Sequence, residues 1–325
     1  MNKVIKTKFY RLLIFIILNV IYLHLLSFQT FAKTIYVDQS GRGDFLTINE
    51  GITESKDGDI VKVNPGNYNE NVVINKNITL IGSGPNFTKI KSQQDGIEVK
   101  YNLSSVEIIG FLVISGNAGI YFNTNYGDGT IICDIKNCII TGCTYGIYYN
   151  GDCYDYATIN IINNTIVSSS KHGIYISADS SISCKTTMIG NIIAKNGYGI
   201  YIISNSNFYT TEYNNYYNNT GYNYEEYFTP GQHDISIDPK FISLETGNYA
   251  LKSDSPCINA GNPSSERNDP DGTRNDMGAY SGPDAASFWP YTNPNYGPII
   301  TEMEVFPSSV SRGSKLTIKA KGKLY

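Results

Sequence analysis

The tripeptide Gly146-Ile147-Tyr148 has three counterparts along the chain, so that Gly-Ile-Tyr begins at four places: Gly119, Gly146, Gly173 and Gly199. The intervals are 27, 27 and 26 residues, a length typical of proteins built from stacked repeats. Three further sets of residues share the 27-residue interval: Ile108, Ile135, Ile162 and Ile189; Gly110, Asn137, Asn164 and Asn191; and Leu112, Ile139, Ile166 and Ile193. Their common phase predicts an all-β fold, a single-stranded right-handed parallel β-helix with one coil per repeat.

Each repeat is expected to divide its side chains between the two faces of a strand, because side chains alternate along β-structure. The interior positions are then Ile120, Ile147, Ile174 and Ile200, together with Phe122, Tyr149, Ile176 and Ile202. Identical interior residues stack one strand spacing apart, roughly 4.8 Å. Asn137, Asn164 and Asn191 fall at bends between strand segments, where we expect a structural asparagine ladder rather than catalytic groups.

The first 32 residues have the pattern of a signal peptide. Lys3, Lys6, Lys8 and Arg11 precede an apolar run, and Thr30-Phe31-Ala32 is a plausible cleavage site. The alternative is an uncleaved signal anchor, which would be the protein's only link to a membrane. Both interpretations place the body outside the cytoplasm, as a secreted or cell-surface protein.

Charge and cysteine content limit the partners. Removal of four positive charges and no negative one with the signal peptide takes the formal net charge from −4 to −8, which argues against nucleic acid as a partner. Disulfides are permitted outside the cytoplasm, and the chain has six cysteines: Cys133, Cys138, Cys143, Cys153, Cys184 and Cys257. Pairing among the first four and a packing role for Cys138, aligned with Thr165 and Ile192, are both open.

The pattern of motifs divides the mature chain into three parts. We expect the β-helix over 33–283, a linker over 284–297, and over 298–325 the start of an immunoglobulin-like β domain, too short to be whole. Thr47 and Glu50 have the spacing of a capping box that opens a short helix across the end of the coil. We expect a monomer and a longer parent protein.

Segments at the two ends of the body resemble known families. Gly43-Asp44-Phe45-Leu46-Thr47-Ile48 and Pro65-Gly66-Asn67-Tyr68 resemble the opening of pectinesterases and related pectin-lyase-fold proteins. Asp238-Pro239-Lys240-Phe241 and Asp269-Pro270-Asp271-Gly272 resemble the closing part of bacterial secreted right-handed β-helix repeat proteins. The resemblance implies the architecture; the chemistry of this superfold varies, from lyases and esterases to inert fibres.

The catalytic motifs that the resemblance implies are incomplete here. Pectinesterases use two aspartates and an arginine, and pectate lyases an arginine beside calcium-binding carboxylates, but no arginine occurs between Gly43 and Glu266. The Asn-Thr-Asp segment of polygalacturonases is replaced by Asn123-Thr124-Asn125. No pair of aspartates stacks in register along the rungs, as a glycosidase would need. These three mechanisms are disfavoured.

Three groups of residues remain as candidate sites. The outward tyrosines form a predicted carbohydrate-binding ladder, with a purely self-stabilising ladder as the alternative: Tyr121, Tyr148, Tyr175 and Tyr201. Lys171 and His172 are weak catalytic candidates beside Tyr145 and Tyr198, or else a solvated turn. A loop with alternating oxygen ligands is either a structural turn or a calcium site, calcium being the one candidate cofactor: Asp269, Asp271 and Asp276.

The sequence therefore predicts a secreted or surface β-helix protein that binds polysaccharide, or a cell-surface glycan, along its tyrosine ladder. It shows no identifiable catalytic residues. The first alternative is a polysaccharide lyase or other carbohydrate-active enzyme of the pectin-lyase superfold. The second is an adhesin-like structural module of a larger exported protein.

Overall fold

A computed structural model describes residues 32–123, 130–151, 156–178, 184–203, 209–225, 228–288, 299–306 and 317–323. The predicted signal peptide and Cys153 lie outside the described residues, as do most of the linker and part of the C-terminal segment. Within the described ranges, no helix is long and apolar enough to cross a membrane.

The body is a parallel β-helix with three sheets, and each complete coil contributes one strand to each sheet. Sheet A contains eight strands: Thr34–Val37, Ile60–Val63, Thr79–Gly82, Leu103–Ile109, Thr130–Lys136, Tyr156–Ile162, Cys184–Ile189 and Tyr209–Glu212. Sheet B contains seven: Gly66–Tyr68, Thr88–Ser92, Leu112–Ser115, Ile139–Thr141, Thr165–Val167, Ile192–Ala194 and Asn215–Tyr217. Sheet C contains six: Val72–Ile74, Ile97–Lys100, Ala118–Asn123, Tyr145–Gly151, His172–Ala178 and Tyr198–Ile203.

The Gly-Ile-Tyr repeats lie in sheet C in the predicted register. Ile120 pairs with Ile147, Ile147 with Ile174, and Ile174 with Ile200, and all four are fully buried. The second interior column is also buried: Phe122, Tyr149, Ile176 and Ile202. Each coil therefore buries β-branched and aromatic side chains against its neighbours, which no coil could do alone.

The 27-residue ladders predicted in sheets A and B are wrong at one step, from the second member to the third, and hold again from the third to the fourth, where Ile162 pairs with Ile189 and Ile166 with Ile193. Ile108 pairs with Ile135 as expected, but Ile135 pairs with Ile161, only 26 residues further on, and not with Ile162. The cause is a coil that is one residue shorter through sheets A and B. Ile174 lies seven positions after Val167, whereas Ile147 lies six positions after Thr141, and this extra residue restores the 27-residue interval in sheet C.

An asparagine ladder lines the bend between sheets A and B and contains two of its three predicted members, Asn164 and Asn191, while Cys138 takes the place predicted for Asn137. The N–H of Cys138 donates to Asn164 Oδ1 at 2.9 Å, that of Asn164 to Asn191 Oδ1 at 2.8 Å, and that of Asn191 to Asn214 Oδ1 at 2.9 Å. Asn137 instead has a left-handed backbone, φ 53°, and aligns with Asn163. The structural role expected of the ladder is confirmed.

Helix α1 (Ile48–Glu54) closes the N-terminal end of the coil. Thr47 and Glu50 form the predicted capping box. The Glu70 carboxylate, which the sequence did not reveal, accepts the N–H groups of Ile48 and Asn49 at 2.9 and 3.0 Å. A carboxylate at a helix N-terminus satisfies unpaired donors and the helix dipole together. Ile48 and Ile52 enter the core cluster of the coil.

The closing segment, residues 228–288, covers the outer face of sheet B. It contains an antiparallel pair, Phe241–Ser243 and Asn248–Leu251, and two 3-10 helices, Ser265–Arg267 and Pro283–Ala285. Two apolar clusters join it to outward side chains of sheet B: Leu112, Ile139, Val167, Ile192 and Ala194. Ala285 and Phe288 are buried in one of these clusters, so the folded body continues past the expected boundary at 283.

Polar contacts tie the closing segment to successive coils as a strap along the stack. The Gly278 N–H donates to the Gly190 carbonyl at 2.7 Å, and Asn137 Nδ2 donates to the Ser281 carbonyl at 2.6 Å. Further back, the Tyr280 hydroxyl donates to Asn86 Oδ1 at 2.6 Å. The C-terminal strands Ile299–Phe306 and Thr317–Lys323 form a separate antiparallel pair.

Five cysteines lie in the described residues, and all are buried free thiols: Cys133, Cys138, Cys143, Cys184 and Cys257. Disulfide pairing of Cys133, Cys138 and Cys143 with one another is therefore wrong. Cys138 packs in the core, as the alternative predicted, although it aligns with Asn164 and not with Thr165.

Candidate functional site

The predicted tyrosine ladder stands on the outer face of sheet C. Its four members are in register: Tyr121, Tyr148, Tyr175 and Tyr201. The ring centroids of consecutive members lie 5.9, 5.0 and 4.7 Å apart, and the last two pairs are nearly parallel, at 11° and 3°. All four side chains are partly exposed.

A second aromatic column runs beside the first. It consists of Tyr145, His172, Tyr198 and Tyr222, with centroids 5.9, 4.9 and 4.7 Å apart. The two columns touch, since Tyr145 lies 4.7 Å from Tyr148 and His172 lies 5.3 Å from Tyr175. We refer to these eight residues as the aromatic surface.

Stacking within each column determines which parts of the rings are accessible to a ligand. In the Tyr148, Tyr175 and Tyr201 series each ring covers the face of the next, so the ring faces are occupied by protein. The faces of the middle rings of the ladder are therefore unavailable for packing against sugar rings. Ring edges and hydroxyl groups remain, and burial raises the pKa of Tyr121, Tyr148 and Tyr201, which keeps their hydroxyls protonated.

Of the two catalytic candidates, His172 belongs to the aromatic surface and Lys171 borders it. Lys171 Nζ lies 3.3 Å from the Tyr145 hydroxyl and 5.3 Å from its ring centroid, a cation–π contact. Burial lowers the pKa of His172, and its Nδ1 is buried without a partner among the described residues. His172 is thus a neutral ring packed between Tyr145 and Tyr198.

Charged groups border the aromatic surface at both ends. At one end Glu98, which pairs in register with Tyr121, contacts Lys100 at 2.5 Å. At the other end the Tyr222 hydroxyl donates to Glu225 at 2.7 Å and lies 3.5 Å from His172 Nε2. Burial and then Glu225 raise the pKa of Tyr222. Sequence reasoning missed Tyr222 and Glu225, because the repeat loosens before it reaches them.

Sheet A carries a carboxylate pair that sequence reasoning also missed. Glu107 and Asp134 are neighbours in register, and Lys136 Nζ bridges them at 2.8 and 3.0 Å. Asp134 and Lys136 line a cleft of about 520 Å³ between sheet A and the closing segment, to which Arg267 also contributes. The expectation that no acidic pair stacks in register therefore holds only for pairs of aspartates. Arg267 lies outside the repeats in the sequence, but the closing segment brings it next to the coils.

The predicted calcium loop is occupied by internal hydrogen bonds. Asp269 accepts the N–H groups of Gly282 and Asp276, at 2.5 and 3.0 Å, and Asp276 accepts that of Asn259 at 2.6 Å. Asp271 accepts from Thr273 within its own turn. Over the described ranges, no group of three His, Cys, Asp or Glu side chains is placed to hold a metal ion. The geometry gives calcium no support, and the calcium site stays a prediction.

A parallel β-helix with an aromatic outer surface is the class of protein that these features define. The chain belongs to the NosD family, described as periplasmic copper-binding protein, whose model matches residues 29–249. A cell surface glycoprotein of Methanothermus fervidus is 36% identical over 104 residues, which are 31% of this chain and 17% of that protein. The crystal structure of pectate lyase Pel9A aligns with a TM-score of 0.36 and 11% identity over 77% of this chain and 97% of that chain.

The family description raises the question of whether the residues present fit copper. Copper(I) prefers thiolate and thioether ligands, and copper(II) prefers imidazole. The five described thiols are buried, and burial raises their pKa, so they are neutral. Of the two described histidines, His172 is packed among tyrosines and His233 contacts Glu212 at 2.7 Å. The thioethers of Met188 and Met277 are buried in apolar clusters, so the described residues do not fit a copper centre.

Proposed function

We propose that this is an extracytoplasmic β-helix protein that binds a polysaccharide along the aromatic surface of sheet C. The observation that carries the proposal is the pair of adjoining aromatic columns with a step of 4.7–5.9 Å. Repetition of one contact group at a regular step suits a polymer, because each further unit binds at a high effective concentration.

The chemistry of binding follows from what the columns expose. Tyrosine hydroxyls both donate and accept hydrogen bonds, as sugar hydroxyls do, while the ring edges contact the apolar parts of a sugar. Lys171, Glu98 and Glu225 add charged partners at the borders. The rings are held in place by each other and by the strands beneath them, so little side-chain freedom is lost on binding.

The comparisons support the location. The family is described as periplasmic and the relative as a cell surface glycoprotein, and both descriptions agree with the export signal expected at residues 1–32.

Retention on immobilised polysaccharides tests the proposal. The double substitution Tyr148→Phe with Tyr175→Phe keeps both rings and removes two hydroxyls. We expect retention to weaken roughly 5- to 150-fold, since each of the two lost hydrogen bonds costs about 0.5–1.5 kcal/mol. Tyr156→Phe is the matched control, because Tyr156 is 65% exposed and lies on sheet A. Unchanged retention of the double variant contradicts the proposal.

The structural-module alternative predicts that the unsubstituted protein is not retained on any polysaccharide. In that case the stacked columns serve stability alone.

The enzyme alternative is favoured by one observation, the cleft beside sheet A in which Asp134, Lys136 and Arg267 meet. Cleavage of a uronide polymer by a lyase creates an unsaturated product that absorbs in the ultraviolet. Appearance of such a product during the retention experiment would favour this alternative over a binding protein.

A further inference from the structure

Five asparagines begin an Asn-x-Ser/Thr tripeptide whose middle residue is not proline: Asn77, Asn86, Asn102, Asn163 and Asn218. This tripeptide is the acceptor for N-linked glycans in exported proteins, and it is modified where it lies on a surface loop. The five positions differ sharply in their surroundings in the folded chain.

Three of the five acceptors are closed. Asn163 is 3% exposed, and its Nδ2, the atom that would carry the glycan, donates to the Ser281 carbonyl. Asn77 is half-buried, and its Oδ1 accepts the backbone N–H groups of Ser104 and Ser105 at 2.7 and 2.9 Å, which holds the side chain against the next coil. Asn86 is itself exposed, but the Thr88 hydroxyl that completes its acceptor is fully buried.

The other two acceptors are open. Asn102 lies in the turn between sheets C and A, and Asn218 in the turn between sheets B and C. Both are exposed with left-handed backbones, φ 62° and 51°, and no described residue hydrogen-bonds either side-chain amide. Ser104 and Thr220, which complete the two acceptors, are exposed as well. A glycan at either site extends into solvent without displacing a contact.

We propose that Asn102 and Asn218 carry N-linked glycans. The donor is an oligosaccharide linked through phosphate to a lipid. Asn Nδ2 forms a bond to the anomeric carbon and loses a proton, while the bond from that carbon to the phosphate oxygen breaks and the lipid phosphate leaves with the electron pair. The proposal rests on the extracytoplasmic location in the proposed function, and it is independent of polysaccharide binding.

Trypsin separates the open acceptors from the closed ones. Cleavage after lysine places Asn102 in the peptide 101–136 and Asn218 in 196–240, whereas the closed acceptors fall in 77–89 and 137–171. The protein is isolated from its own cells after fractionation, and the peptides are weighed by mass spectrometry. We expect glycan mass on 101–136 and 196–240 alone. It is lost from the first peptide in Ser104→Ala and from the second in Thr220→Ala, which leave both turn asparagines in place.

Each other outcome overturns the proposal in a distinguishable way. An extracytoplasmic protein with both peptides unmodified refutes the glycans and leaves polysaccharide binding standing. Equal modification of 77–89 and 137–171 refutes selection by accessibility. Recovery of the protein in the cytoplasm refutes this proposal and the proposed location together.

Discussion

Neighbouring coils approach so closely at some glycines that no side chain fits. A Cβ at Gly146 would lie 2.4 Å from the carbonyl oxygen of Gly173 on the next coil. At Gly190 the backbone is also left-handed, φ 70°, and a Cβ would lie 2.2 Å from Asn163 Oδ1. The Asn163 Oδ1 atom is buried and accepts no hydrogen bond from a described residue. It lies directly against the Gly190 backbone.

We predict that Gly190→Ala destabilises the fold, both through its left-handed backbone and through a clash with Asn163. The left-handed backbone costs about 1–2 kcal/mol for a residue with a Cβ, and overpacking against Asn163 adds roughly 1–3 kcal/mol. Gly58→Ala is the control, since Gly58 has φ 90° and nothing within 4 Å of its Cβ position. Denaturant titration measures both free energies of unfolding, and equal losses in the two variants would refute the contribution of the clash.

Single residues of the aromatic surface could be predicted where the repeat is intact. Tyr121, Tyr148 and Tyr175 follow from alternation along a strand, and so does the proximity of His172 to Tyr145. The contact between the two columns, which joins them into one surface, could not be predicted, because it depends on side-chain rotamers that periodicity does not encode.

At the scale of the element, the bend between sheets A and B is held by buried amide side chains. Asn191 Oδ1 accepts the N–H of Asn164, while its Nδ2 donates to the Ile161 carbonyl at 2.6 Å and to Asn214 Oδ1 at 2.9 Å. One side chain thus satisfies two backbone groups of the preceding coil, as buried peptide groups require, and also binds the asparagine of the following coil.

We predict that Asn191→Ala is strongly destabilising. It leaves the Asn164 N–H and the Ile161 carbonyl buried without their partner, at about 1–3 kcal/mol each. Asn160→Ala is the control, because Asn160 is partly exposed and its amide donates only to Asp134. Thermal or denaturant unfolding should show a loss for Asn191→Ala several times that for Asn160→Ala, and similar losses would contradict the ladder's importance.

The stacked coils, the register of sheet C and the capping helix were predicted correctly, but the register of the ladders in sheets A and B was not. Three sets of residues at constant spacing suggested that every coil has the same length. One coil in fact has one residue fewer before Thr165 and one residue more before Ile174, so the total length of the repeat is unchanged. Such compensating changes are invisible in spacing alone, because isoleucine occupies both Ile161 and Ile162.

At the scale of the whole molecule, two acids, the buried Asp269 and the half-buried Asp276, lie where the strap meets the coils. Burial raises the pKa of both Asp269 and Asp276, and for Asp269 the charge of Asp276 adds to the effect. A raised pKa means that the folded state holds these protons more tightly than the unfolded chain does. Their contribution to stability is therefore present at acidic pH and is lost as the pH rises from about 4 through neutral.

We predict that Asp269→Asn makes the fold less sensitive to pH. Asparagine keeps an oxygen for the Gly282 N–H but cannot ionise. Between about pH 5 and pH 8 the unsubstituted protein should lose more unfolding free energy than the variant, because the variant has one fewer buried acid to deprotonate. Denaturant titrations at the two pH values give the comparison, and parallel losses would argue against this origin of the pH dependence.

Closure by residues after the last coil could be predicted from the family resemblance, but the path of the strap could not. Its contacts join positions far apart in the chain, such as Asn137 with Ser281 and Asn86 with Tyr280. The residues that make these contacts lie outside the repeats of their partners, so no local sequence pattern predicts the contacts.

The strap also fixes the length of the stack, because it contacts several coils at set distances from one another. Inserting one more coil by duplication would lengthen the stack by roughly 4.8 Å, and Tyr280 could no longer reach Asn86 while Gly278 stays on Gly190. Unlike an open solenoid, which can gain or lose units one at a time, this molecule can change its length only if the returning segment changes to match.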